Sequence, residues 1–216
     1  MTDDPEMTDD DALSPADMLA LAEQQQRRIG AQLGAGVPLI LVAWGVAWLA
    51  AYLVLYADVA GHEPPAGAST GALFGVAAIV AVAAAVSAII GIRSGRGLRG
   101  TPAGALAGIV YGNLWWLGGA AIVLIGQGLV LAGMPGALLV LLSPAMLTMF
   151  AGLMFLAAGL IWPAPPMLVL GCWMLVVGTA SAFFAIPSNL LFLALAGGGG
   201  LLGVAIWAAL WVRSAR

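Results

Sequence analysis

Residues able to do chemistry are scarce in this sequence, and their spacing suits little of it. The one histidine, His62, stands beside Glu63 in the polar stretch DVAGHEPPAGAS. Histidine acts as a base, shuttle or metal ligand when partners are arrayed around it. One ahead of Glu63 and a Pro-Pro pair reads as a solvated loop side chain. The one cysteine, Cys172, lies in an apolar run, has neither disulfide mate nor metal-ligand spacing, and reads as a small buried hydrophobe. From Gly100 to Val212 there is no Asp, Glu, Lys or Arg. General acid–base catalysis and ion coupling need titratable groups, and a serine nucleophile needs a base. The sequence therefore argues against an enzyme, and no metal or cofactor is expected.

Aromatic rings and glycines are what remain. Trp44, Trp48 and Tyr52 recur every four residues, with Tyr56 continuing the ridge. Tyr111, Asn113, Trp115 and Trp116 fall together, and Trp173 stands apart. Rings so placed pack a core or line a cavity for an apolar or cationic small molecule, and these residues are the candidate cavity lining. A buried indole N–H needs an acceptor. Asn113, Gln127, Thr148 and Ser181 are the side chains suited to supply one. Trp162 and Trp211 suit an interfacial belt. Gly104, Gly108 and Gly112 form G-x-x-x-G-x-x-x-G, a spacing that lets helix backbones approach. Its first reading is packing within the chain, and oligomerisation is the alternative. The run Gly197, Gly198, Gly199 and Gly200, followed by Gly203, weakens a helix and marks a candidate break, kink or close contact. A broken helix at membrane depth would hint at a substrate site.

The elements that must position these residues follow from composition. The 216 residues are 62% hydrophobic and 8% charged, where a soluble domain carries about 25% charged residues. So little polar surface cannot face water, and most of the chain must be solvated by lipid. Apolar runs at about 37–57, 71–92, 104–132, 137–161, 167–185 and 189–212 predict an all-α, polytopic bundle of six transmembrane helices over 35–213. Breaks at Gly133-Met134-Pro135-Gly136, Trp162 to Pro166, and Ile186-Pro187-Ser188 divide the long uncharged stretch. With six spans, Arg27, Arg28, Arg93, Arg96, Arg99, Arg213 and Arg216 fall on one side, and Asp58, His62 and Glu63 on the other. The positive-inside rule then assigns both termini to the cytoplasm.

Ahead of the first span lie two further segments. Residues 1–13 are acidic, repeat Met-Thr-Asp-Asp, and are expected to be disordered. In 14–34, Ser14, Pro15 and Asp17 give a helix start, and Met18, Ala22, Ile29 and Leu33 an apolar side. A cytoplasmic amphipathic helix at the membrane surface is predicted, with docking to a protein partner as the alternative. The basic start and short apolar core of a cleavable signal are missing from this region, so the first span is expected to act as its own insertion signal. All seven basic residues are arginine. With the wealth of Ala, Gly, Leu and Val, this points to a high-GC bacterial genome and hence to the bacterial plasma membrane.

The segments DMLALAEQQQRR, WGVAWLAAYLVLY, YGNLWWLGGAAIVL and LGCWMLVVGTASAFFAIPSNLLFLALAGGGGLLG resemble a group of small, uncharacterised, actinobacterial-type six-span membrane proteins, often described as transporters or permeases. The resemblance implies membrane location and brings no substrate or site residues. The expected function is a transport component, either a small permease or the membrane subunit of a multi-part transporter. The alternative is a non-catalytic scaffold or regulatory subunit. Expected partners are the lipid bilayer and a membrane or cytosolic protein such as an ATPase subunit, or further copies of the chain, with no nucleic acid.

Overall fold

The computed structural model describes residues 36–61, 67–95 and 102–214, together with Ser14, Ala16, Met18 and Leu19. The predicted acidic tail and most of the predicted N-terminal amphipathic helix lie outside the described residues. Every element among the described residues is helical, as apolar surroundings demand. With no water to satisfy backbone groups, only helices or closed barrels keep every N–H and C=O paired.

Among the described residues from Val37 onward, six helices follow one another. They are α1 (Val37–Ala60), α2 (Thr70–Gly95), α3 (Pro102–Leu131), α4 (Gly136–Ile161), α5 (Pro165–Ser181) and α6. The last begins as Ser188–Phe192, widens into a π-helical turn at Leu193–Gly198, and continues as Gly199–Ser214. Five of the six are long and apolar enough to cross a membrane, while α5 has 17 residues and is shorter. At 1.5 Å per residue it spans about 26 Å against a hydrocarbon layer of about 30 Å.

Prolines and one glycine set several of the ends. Proline stands in the first turn of α1 and of α5, where its missing N–H costs nothing. After α3 the chain reverses at Gly133, whose φ of 94° suits glycine. The Gly133 N–H bonds the Val130 carbonyl and the Met134 N–H the Leu129 carbonyl, both at 2.9 Å, so the last carbonyls of α3 are capped. The end of α5 differs from expectation. The apolar run continues to Ala185, but the helix stops at Ser181. The N–H groups of Ala182, Phe183 and Phe184 reach back only three residues, to Thr179, Ala180 and Ser181. Hydropathy cannot register that tightening, because Ala182, Phe183 and Phe184 are as apolar as the helix they leave.

Packing runs in the order α2, α1, α6, α5, α4, α3, so α2 and α3 flank a central four. Only 6% of the most apolar stretch of α2 and 11% of that of α3 is buried, against 39% in α4 and in α6. The core has two parts. Leu41, Met167, Leu170, Met174 and Leu201 gather at one end of the bundle, and Tyr52, Val140, Val177, Leu190 and Leu193 at the other.

The tightest seam joins α4 to α5. A Cβ on Gly171 would stand 2.8 Å from the Gly152 carbonyl oxygen, and one on Gly152 would stand 3.0 Å from the Gly171 oxygen. One heptad along, a Cβ on Gly178 would meet the Ala145 oxygen at 3.1 Å. Small residues seven apart on antiparallel helices (Ala145, Gly152 and Gly159 against Gly178 and Gly171) let the two backbones touch along one seam. Gly45 and Gly198 make the equivalent contact between α1 and α6.

Candidate functional site: an uncharged polar seam

The polar seam starts from a defect in α4. Pro144 lies inside this helix. It has no N–H to give the carbonyl one turn earlier, that of Val140. Asn189, in the first turn of α6, supplies the missing donor, its Nδ2 bonding the Val140 oxygen at 3.2 Å. One turn further along α4, the Thr148 hydroxyl donates to the Pro144 carbonyl at 2.8 Å. The side chain of Tyr52, from α1, takes Thr148 as its hydrogen-bond partner. Val140, Pro144 and Thr148 thus run along one buried face of α4 for two turns, about 11 to 12 Å. Asn189 stands at one end and Tyr52 at the other.

Thr148, Ser181 and Asn189 are the fully buried polar side chains among the described residues. Ser181 donates to the Gly178 carbonyl at 2.7 Å. Asn189 Oδ1, by contrast, has no hydrogen-bond partner. The seam carries dipoles and no charge. It can accept and donate hydrogen bonds.

The candidate aromatic residues fall into two separate groups. In the first, Trp44 Nε1 donates to Ser87 Oγ of α2 at 3.0 Å. Trp48 meets Tyr52 edge-on, with centroids 5.5 Å apart, and lies on Gly197. Trp173 Nε1 reaches the Ala196 carbonyl in the π-helical turn at 2.9 Å. In the second, the Tyr111 hydroxyl donates to the Met154 carbonyl at 3.1 Å, and Trp115 packs edge-on between Phe150 and Phe155. Asn113 is exposed and bonds its own helix at the Ile109 carbonyl, and Trp116 is 64% exposed on the outer face of α3. The indole acceptors for Trp44 and Trp173 are therefore Ser87 and a backbone carbonyl, neither among the expected side chains.

The glycine expectations are revised in two ways. A Cβ on Gly108 or Gly112 would meet nothing within 4 Å, so these residues of the G-x-x-x-G run make no close backbone contact within the chain. The contacts fall instead at glycines seven apart in α4 and α5. The glycine run in α6 is no break, since the helix passes from the π-helical turn through Gly199 and Gly200 without interruption. Low helix propensity is outweighed where an open backbone group would have no water to meet. Gly197 and Gly198 face α1, Gly200 faces Trp173, and a Cβ on Gly199 would meet open space.

Sequence reasoning passed over Pro144 and Asn189. A proline deep in an apolar span was the available signal, since it frees a carbonyl that some neighbour must satisfy. No family model, curated protein or solved structure matches the chain.

Proposed function

We propose that the chain is an integral membrane transport component of the bacterial plasma membrane, a small permease or the membrane subunit of a multi-part transporter. The observation that carries this reading is the seam. Two spanning helices carry an irregularity, an internal proline at Pro144 in α4 and a π-helical turn at Leu193–Gly198 in α6, and two of the fully buried polar side chains among the described residues, Thr148 and Asn189, lie one turn from them. Irregular backbone inside a membrane is tolerated where it is enclosed by protein, and transporters place solute sites at such irregularities. In this reading α5 completes a sixth crossing. Both termini are cytoplasmic, and the arginine-rich loop after α2 faces the same side.

A non-catalytic scaffold is the second reading. It is favoured by α2 and α3, which turn most of their surface away from the core and leave room for another membrane protein. Native mass spectrometry of the full chain, purified in mild detergent, separates the two. A retained ATPase subunit or small molecule is the transport outcome. A homo-oligomer carrying neither is the scaffold outcome.

A further inference from the structure

We propose that Asn189 Oδ1 anchors an enclosed site for one water molecule, lodged between α4 and α6 at the Val140 end of the seam. The inference stands whether or not the chain carries a solute.

Asn189 is fully buried, and its Oδ1 lacks a partner. Reversing the amide does not remove the problem. It would set two oxygens against each other at Val140 and leave a buried NH₂ without an acceptor. The other fully buried side-chain donors among the described residues, and the adjoining backbone donors, are already committed. The Thr148 hydroxyl goes to the Pro144 carbonyl and the Ser181 hydroxyl to the Gly178 carbonyl. The backbone N–H of Asn189 goes to the Ala185 carbonyl at 3.1 Å, and that of Leu190 to the Pro187 carbonyl at 2.9 Å. A buried acceptor left empty costs about 1–3 kcal/mol, and hydrocarbon offers it no relief.

The surroundings also limit the guest. Val140 and Leu190 belong to one packed apolar cluster, so the guest must be small. Nδ2 and Oδ1 belong to the same amide. Oδ1 therefore stands at the Val140 end of the seam. A neutral amide oxygen suits a compact O–H donor such as water and does not suit a divalent metal ion, which takes six or more oxygens, several of them carboxylates.

The test uses the full-length chain in lipid nanodiscs with asparagine labelled at its side-chain carbonyl with ¹³C. The two asparagines are Asn113 and Asn189, so Asn113→Leu, at a lipid-facing position, leaves one reporter. The expected infrared band of that carbonyl is shifted to the position of a hydrogen-bonded amide. Solid-state magnetisation transfer to the same carbon then identifies the donor. Transfer from water protons identifies water. Transfer from ¹⁵N-ammonium, in ammonium chloride and not in sodium chloride, would show a cation in its place and overturns the proposal. A band at the position of the same labelled amide in dry alkane overturns the proposal. A hydrogen-bonded band with neither transfer, or one that appears only with sodium, overturns it equally.

Discussion

The indole of Trp173 reaches the Ala196 carbonyl across Gly200, and the space it occupies is the space a Cβ on Gly200 would need. One glycine of the run in α6 is thereby tied to a side chain of α5. Gly200→Ala should crowd the indole, which costs about 1–3 kcal/mol when a close-packed site is overfilled. Trp173→Phe removes the hydrogen bond, worth about 0.6 kcal/mol on average between membrane helices. It also opens room, so Gly200→Ala should cost less on that background than in the native chain. Unfolding in detergent of the two single variants and the double variant measures this coupling, and strict additivity would refute it.

Asn189 and Pro144 make a second coupled pair. Asn189→Leu strands the Val140 carbonyl and should destabilise the chain by about 1–3 kcal/mol. Pro144→Ala restores a backbone N–H one turn from that carbonyl, so the helix can close its own bond. On the Pro144→Ala background, Asn189→Leu should lose most of its cost. An unchanged penalty there would mean that Asn189 acts through packing and not as the substitute donor.

Where helices start and stop was legible wherever Pro or Gly marks the boundary, as at Gly133 and Pro165. It was illegible at Ser181, where Ala182 and Phe183 continue the apolar pattern beyond the last helical bond. The ridge Trp48–Tyr52 could be read from four-residue spacing, since side-chain period reports helix face. The acceptors at Ala196 and Val140 could not be read. A backbone carbonyl exists at every position, and only the fold determines which ones are free. The glycine seam was missed because it repeats every seven residues, whereas the spacing sought was four. That shorter spacing picked out Gly108 and Gly112, which lie on the open side of α3.

That contrast predicts two classes of glycine. Gly171→Ala or Gly152→Ala places a methyl group about where the opposite backbone already lies, so α4 and α5 must separate. A loss of about 1–3 kcal/mol is expected. Gly199→Ala and Gly112→Ala place theirs in open space and replace a poor helix former. They should be neutral or stabilising by up to about 1 kcal/mol. Thermal unfolding of the four variants in the same lipid checks the division. The division fails if Gly112→Ala is as damaging as Gly171→Ala.

The crossing by α5 can be tested at its two ends. Ala164 precedes the helix, and Phe183, 86% exposed, follows it. In the proposed orientation Ala164 lies on the cytoplasmic side and Phe183 on the outer side, five residues before α6 begins at Ser188. Cys172 is exposed on α5, not buried as its apolar run suggested, and replacing it with serine removes the one native thiol. On that background Phe183→Cys should react with a membrane-impermeant maleimide in intact cells. Ala164→Cys should react only after the membrane is opened. Gly61→Cys, at the end of α1, should behave like Phe183→Cys, since both close helices running outward. Labelling of Ala164→Cys and Phe183→Cys from the same side would show that α5 turns back within the membrane. The arginine-bearing C-terminus would then have to lie opposite the arginine-rich loop after α2, against the charge rule from which the orientation was drawn.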